Sequence, residues 1–284
     1  MTTATPSKSL PRLRSTARAA RDSWTRIGQQ TAFYVEALLA IKDVFARYKN
    51  ELMRLIAQMS LGTGALAVIG GSVAIVGFLT LSAGSLIAIQ GYASLSDIGV
   101  EAFTGFIAAY VEGRLVSPLV AGVGLAATIG AGATAQLGAM RINEEIDALE
   151  VMGIRSVAYL VSTRVVAGVL VVFPLYCVAV LMSFFAARFG TTVVYGQSPG
   201  VYDHYFMTFL RPTDLMWSFA QAIVMAVIIM LIHTYYGFTA SGGPAGVGDA
   251  VGRAVRASMI AAVMSVLLVQ LAIYGQSGNF NLSG

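Results

Sequence analysis

The chain has 284 residues, of which 57% are hydrophobic and 11% are charged. Soluble domains carry about 25% charged residues, so this composition excludes a soluble globular protein and predicts an integral membrane protein. The single cysteine excludes an internal disulfide, and with two histidines it leaves too few ligands for a metal cluster. The net charge of +4 does not indicate a function until the charges are assigned to segments of the chain.

The first 56 residues are polar and basic, and then amphipathic. Residues 1–22 carry five Lys or Arg and no apolar run, which predicts a flexible cytoplasmic arm rather than a signal peptide. Residues 23–56 mix charged with aromatic and aliphatic side chains, so we expect an amphipathic helix that lies in the membrane interface. A cytoplasmic helix packed on protein is the alternative. Residues 57–284 are expected to form one membrane domain.

Five apolar segments predict five transmembrane helices. The first lies within residues 55–96, which carry no charge; a straight helix of that length would measure roughly 63 Å. Because the hydrocarbon core is about 30 Å thick, we expect this run to break, at Gly70-Gly71 or between Thr80 and Ser85. The other predicted spans are 115–140, 165–187, 215–236 and 257–273, with a polar loop at 189–213 and a glycine-rich loop at 237–256.

The basic residues predict the orientation of these spans. Residues 1–54, 138–164 and 237–256 together hold 15 of the 18 Lys and Arg residues, and all three segments share one side if the N-terminus is inside. The positive-inside rule therefore predicts a plasma-membrane protein with a cytoplasmic N-terminus and a C-terminus on the outer side.

Small residues recur every four positions along the second predicted span, among them Gly130, Thr134 and Gly138. Such rows let membrane helices approach closely, so we expect these three residues at a helix-packing contact. A helix facing lipid would carry large aliphatic residues there instead. His233, in the fourth span, is expected to be a hydrogen-bonded packing residue, because proton relays usually involve several ionisable groups.

The segment between the second and third spans carries five charged residues within ten positions, including 4 of the chain's 14 acids. Charges this dense do not stay in lipid. As a helix, the segment would place its acids on one side and an apolar stripe of Ile142, Ile146, Leu149 and Met152 on another. We therefore predict a short cytoplasmic helix whose acidic side meets solvent or a protein. Its charged residues are Arg141, Glu144, Glu145, Asp147 and Glu150.

The run LGAMRINEEIDALEVMGI at 137–154, followed by YLV at 159–161 and Arg164, resembles the signature of the MlaE/YrbE permeases, the membrane subunits of lipid-moving ABC transporters. Arg114 with Pro118, GGPAGVG at 242–248 and GNFNL at 278–282 are similar to the B-type YrbE subunit of actinobacterial Mce systems. The resemblance covers nearly the whole chain. It implies an all-α integral membrane protein with an N-terminal interfacial helix, five transmembrane helices and a cytoplasmic coupling helix between spans 2 and 3.

The function implied by the resemblance is that of a permease subunit in a multi-protein lipid importer, not an enzyme. ATP and magnesium would bind to a separate dimeric ABC ATPase of the Mkl/MceG type, since the chain has no Walker-type phosphate loop of its own. A second YrbE-type permease would complete the pathway, and a hexamer of Mce proteins would deliver lipid, with fatty acids the first expectation, from the outer side. No metal, cofactor or nucleic acid is expected on this chain.

The same resemblance assigns candidate sites. The ATPase contact would comprise Glu144, Glu145, Asp147, Leu149, Glu150 and Arg141. In the family an arginine at the position of Arg114 lies near the lipid pocket, which makes Arg114, Glu112, Thr128 and Gln136 the candidate substrate pathway. A salt bridge is the alternative for Glu112 and Arg114. Many relatives carry arginine and glutamate at positions 128 and 136, so the neutral residues here suit an asymmetric pair of permeases.

Two other functions stay open. A secondary transporter is expected to show internal repeats, and five spans do not divide into two halves. A membrane scaffold that anchors Mce proteins would not need a dense acidic helix on its cytoplasmic side.

Overall fold

The computed structural model describes residues 10–61 and 71–275, and the regular secondary structure within these residues is all helical. In chain order the helices are α1 (Leu10–Leu39), α2 (Ile41–Arg47), α3 (Lys49–Leu61), α4 (Ser72–Ser96), α5 (Glu101–Ile142), α6 (Glu145–Val151), α7 (Val157–Val194), α8 (Pro199–Phe209), α9 (Pro212–Phe238) and α10 (Gly243–Tyr274). Helices α4, α5, α7, α9 and α10 are long and apolar enough to cross a membrane. The predicted all-α fold with five spans and a short helix between the second and third is confirmed.

Two spanning helices extend well beyond the apolar runs that predicted them. Helix α5 begins at Glu101 rather than near residue 115, and so holds Glu112 and Arg114 within it. Helix α7 extends past both ends of the predicted span at 165–187. Both contain wide π-helical turns, at Ala108–Val116 in α5 and at Val157–Ser162 in α7. A charge-free window ends at the first charged residue, whereas the helices continue through it: Arg114 and Arg164 are buried, and the exposed Arg188 pairs with Asp203.

Both predicted loops are largely helical, which corrects the sequence prediction. The segment 189–213 continues α7 and then forms α8. Most of 237–256 is the first part of α10, in which Pro244 occupies the first turn, where its missing N–H group is not needed. Gly246 permits a close contact, because a Cβ there would lie 1.8 Å from the carbonyl oxygen of Ser241, and Gly242 and Gly243 have positive φ angles where the helix starts.

The break predicted between Thr80 and Ser85 is also absent, since α4 runs through it. A Cβ on Gly84 would lie 2.2 Å from the backbone oxygen of Ser183 in α7, so this glycine permits two helices to touch. Gly71 directly precedes α4, where the helix starts, and Gly70 lies outside the described residues.

The N-terminal segment forms three helices instead of the single one predicted over 23–56. Helix α1 begins at Leu10, inside the segment for which we predicted a flexible arm, and residues 1–9 lie outside the described residues. Helices α2 and α3 pack on α7 through a buried cluster of Val44, Leu52, Leu55 and Ala167. The tail at 278–282 also lies outside the described residues.

The core lies between the spanning helices. Helix α7 packs along α4 and α9, and α9 also packs along α10 and the C-terminal part of α5. The largest buried apolar cluster is centred there and includes Leu125, Val172, Leu175, Met225 and Ile229. The bundle has one end that carries α6, called the α6 end below, and an opposite end that carries α8, called the α8 end.

Candidate functional site

Two residues with left-handed backbones bracket the acidic helix α6. Glu144, immediately before the helix, has a φ of 60°, the one positive φ of a non-glycine residue in the described part of the chain. Gly153, after the helix, has a φ of 77°, and its N–H donates to the carbonyl of Glu150. A glycine there is the usual way to end a helix. The sharp turns on both sides make α6 a compact projection at the α6 end.

A fully buried apolar side chain anchors α6 to the bundle. Ile146 is 0% exposed and packs with Leu137 of α5 and Leu160 of α7. Leu149 and Phe238 border the same cluster. A displacement of α6 would therefore be transmitted to α5, α7 and α9 through this contact, because packed interiors move as units.

One residue predicted for the apolar face of α6 lies elsewhere. Met152 is 65% exposed, and Val151 beside it is 89% exposed. The reason is that α6 ends at Val151, so Met152 no longer follows the helical period that would turn it inwards. The exposed C-terminal end of α6 is therefore apolar and lies next to the acidic residues of the helix.

The predicted ATPase-contact residues lie together on α6 and at its start. The carboxylate-bearing residues Glu144, Glu145, Asp147 and Glu150 are exposed, whereas Arg141 and Leu149 are partly buried. Arg141 Nη1 donates to Asp147 Oδ1 at 2.6 Å, and Ser156 Oγ donates to Glu150 Oε1 at 2.5 Å. Four acids against one arginine leave this surface negative, and two exposed apolar residues adjoin it.

The four predicted pathway residues do not form one site. Thr128 and Gln136 line a pocket of about 220 Å³ together with Gln58 of α3 and Ser72 of α4. Arg114 precedes Thr128 on the same helix by 14 residues, which corresponds to roughly 21 Å along the helix axis. The structure therefore separates a polar pocket near α3 from the buried charges Glu112 and Arg114 nearer the α8 end.

Arg114 forms a salt bridge, the alternative that the sequence left open, but its partner is Asp214, which the sequence analysis did not name. Its Nη2 donates to Asp214 Oδ2 at 2.5 Å, and its guanidinium lies 3.9 Å from the centre of the Tyr110 ring. Its backbone oxygen accepts a hydrogen bond from Gln270 Nε2 at 2.8 Å. Arg114 thus ties α5 to α9 and α10. The sequence signal that could have identified Asp214 is its place in the first turn of an apolar helix, where acidic residues are favoured.

The small residues Gly130, Thr134 and Gly138 all contact neighbouring helices. A Cβ on Gly130 would lie 2.7 Å from the His233 ring, and one on Gly138 would lie 2.8 Å from Val247. Thr134 Oγ1 lies 2.8 Å from His233 Nδ1, and Ser258 Oγ lies 3.0 Å from His233 Nε2. The imidazole therefore joins α5, α9 and α10 through hydrogen bonds on both nitrogens.

The sequence profile of the family described as "Permease MlaE" matches residues 61–272, which contain α4 to α9 and nearly all of α10. A probable ABC transporter permease protein of Rickettsia bellii is 29% identical over 201 residues, which cover 70% of this chain and 76% of that protein. The protein TRIGALACTOSYLDIACYLGLYCEROL 1, chloroplastic, of Arabidopsis thaliana is 29% identical over 179 residues, covering 62% of this chain and 51% of its own length. A probable ABC transporter permease protein of Synechocystis is 26% identical over 166 residues, covering 58% and 63%.

Proposed function

The chain belongs to the MlaE permease family, and from that membership we propose that it is the permease subunit of an ATP-driven lipid importer. The observation that carries the proposal is α6: a short projection with four exposed acids, fixed to three spanning helices by the fully buried Ile146. A projection of this kind suits a partner that pushes or pulls on the bundle from one side of the membrane.

The partner in this proposal is a separate dimeric ABC ATPase that supplies all of the free energy. A cleft of the ATPase receives the acids and the apolar tip formed by Val151 and Met152. ATP binding and hydrolysis change the shape of that cleft, so α6 contacts it differently in each state, which is the condition for a shift between two conformations. The Ile146 contact then passes the movement to α5, α7 and α9.

Lipid is the proposed cargo. Support comes from the plant relative, whose name is that of a galactolipid. The resemblance of Arg114, Pro118 and the glycine-rich run to B-type YrbE subunits further supports a place in an Mce system. There the chain would pair with a second YrbE-type permease and receive fatty acids from an Mce hexamer on the outer side.

The proposal is tested by reversing charges on α6. We expect Glu145→Lys combined with Asp147→Lys to lower both ATPase co-purification and uptake of a labelled fatty acid by roughly tenfold or more, because two attractive contacts become repulsive. The matched control is Asp97→Lys, which reverses an exposed charge between α4 and α5, away from α6. Normal ATPase recovery and normal uptake in the double variant would contradict the assignment.

The same assay separates the two rival functions. Uptake that persists without nucleotide and collapses when an ion gradient is removed would indicate a secondary transporter. Recovery of outer-side partner proteins with no ATPase and no uptake would indicate a scaffold.

A further inference from the structure

Glu112 carries a carboxyl group that is buried inside the bundle and forms no salt bridge with any residue that the structure describes. It lies in the wide turn Ala108–Val116 of α5 and is 0% exposed. Neither of its carboxylate oxygens has a hydrogen-bond partner among the residues that the structure describes. Burial of an ionised carboxylate is so unfavourable that such a group is either neutralised by a proton or paired with a cation.

The permanent cations around Glu112 are engaged elsewhere. Arg114 is paired with Asp214, and Arg188 of α7 donates two hydrogen bonds to Asp203 of α8, at 2.8 and 2.9 Å. Arg211, between α8 and α9, is exposed. The other titratable groups at the α8 end of the described chain are Tyr92 on α4, Asp97 after α4, Glu101 and Tyr110 on α5, Tyr176 and Cys177 on α7, Tyr195 after α7, and Tyr202, His204 and Tyr205 on α8. None of these groups supplies a permanent positive charge.

Several hydroxyl groups accompany Glu112. Ser183 of α7 lies beside its carboxyl group, and Ser183 Oγ is 3.3 Å from Ser117 Oγ of α5. Tyr202 of α8 is buried with Ala108, Ala109 and Ala187 in one cluster, and its Oη has no partner among the described residues. Burial raises the pKa of Tyr202, so its phenol stays neutral and able to donate or accept a hydrogen bond. We call Glu112, Ser117, Ser183 and Tyr202 the Glu112 cluster.

Most of the unpartnered buried atoms towards this end are oxygens. Eight buried side-chain nitrogen or oxygen atoms lack a partner in the described part of the chain. Five are oxygens of α5, the end of α7, the turn after it and α8, namely both oxygens of Glu112, Thr191 Oγ1, Gln197 Oε1 and Tyr202 Oη, and two more, Ser218 Oγ and Gln221 Nε2, lie in the first half of α9. Buried polar atoms without partners call for an ion or a water molecule, and hard cations take oxygen ligands.

We propose that the Glu112 cluster binds one monovalent cation, a hydrogen ion or a sodium ion, on the carboxylate of Glu112. A bound hydrogen ion converts the group to a neutral carboxyl that donates to a neighbouring hydroxyl oxygen. A bound sodium ion is held by the carboxylate and those hydroxyl oxygens. Either cation joins α5, α7 and α8, so its release loosens the α8 end of the bundle. The inference does not depend on the proposed transport of lipid.

Infrared difference spectroscopy of the purified full-length protein in lipid nanodiscs tests the proposal. Spectra of the wild type minus Glu112→Gln are recorded at neutral pH in choline buffer and in sodium buffer. A protonated-carboxyl band that is present in the wild type and absent from the variant supports the site with a hydrogen ion as ligand. An ionised-carboxylate band, together with a sodium-dependent rise in melting temperature that Glu112→Gln abolishes, supports it with sodium. Asp97→Asn, which alters an exposed acid, is expected to lose only the ionised-carboxylate band of Asp97 itself and to keep the protonated-carboxyl band or the sodium response of the wild type.

The proposal is overturned by an ionised-carboxylate band with no sodium response, or by a difference spectrum without any carboxyl band. If Glu112→Gln does not fold, Glu112→Asp replaces it, because a displaced carboxyl shifts the frequency of the same band. A Glu112→Asp spectrum identical to that of the wild type in both buffers would also overturn the proposal.

Discussion

Single residues set the strength of the contacts between the spanning helices. The side chains of Arg114 and Asp214 are only 10% and 15% exposed. Removing one partner leaves the other charge buried and unpaired, so we expect Asp214→Ala to reduce the free energy of unfolding by about 3–5 kcal/mol. Denaturant unfolding of the purified chain, followed by circular dichroism, measures this loss.

The control for that experiment is the exposed ion pair at the same end of the bundle. Arg188 and Asp203 are about half exposed, so Asp203→Ala should cost less than about 1 kcal/mol. The hydrogen bond from Arg188 lowers the pKa of Asp203, so the contribution is present at neutral pH and is lost as the pH falls through that lowered value. Equal losses in the two alanine variants would show that the Arg114 pair is not buried in the folded protein.

Gly130 offers a second prediction at this scale. A Cβ at this position would lie 2.7 Å from the His233 ring, which is held by hydrogen bonds on both sides. We expect Gly130→Ala to destabilise the protein by about 1–3 kcal/mol through overpacking. Gly132→Ala is the matched control, since a Cβ there has nothing within 4 Å, and its melting temperature should not fall. A lower melting temperature for Gly132→Ala than for Gly130→Ala would contradict the close contact.

At the scale of an element, α6 depends on one buried side chain. Ile146→Ala removes the residue that packs on Leu137 and Leu160, and buried isoleucine-to-alanine changes cost about 2–5 kcal/mol. We expect faster proteolytic cleavage at α6 together with weaker ATPase recovery. Val151→Ala, at a site that is 89% exposed, should leave cleavage unchanged. Resistance to proteolysis in Ile146→Ala equal to the wild type would show that α6 is held by other contacts.

At the scale of the whole molecule, the distribution of Lys and Arg predicts which side of the membrane each end faces. We expect a cysteine placed at Glu145 to react only with reagents that reach the cytoplasm, and one at Asp97 only with reagents added outside, in a Cys177→Ser background. Both positions are exposed in the structure. Labelling of position 145 from outside would reverse the orientation and remove the basis for an ATPase contact.

The sequence by itself determined the class of fold and the position of α6. Long apolar runs must become spanning helices, because in lipid each backbone polar group needs a partner within the helix. The segment around Glu145 and Asp147 had to leave the membrane because a dense set of charges does not remain in lipid. Both conclusions follow from the composition of short segments, which can be read from the sequence without knowing which residues are in contact.

The tertiary structure alone decided where the helices end and what the charged residues inside them contact. Helix α5 begins at Glu101, well before the apolar run that predicted it, and α7 continues past Arg188, the charged residue at which its apolar run ends. The pairing of Arg114 with Asp214 joins residues 100 positions apart, and the isolation of Glu112 depends on how α7 and α8 close around α5. A hydropathy pattern records the cost of placing a charge in lipid, whereas these positions depend on neighbours that only the packed helices bring together.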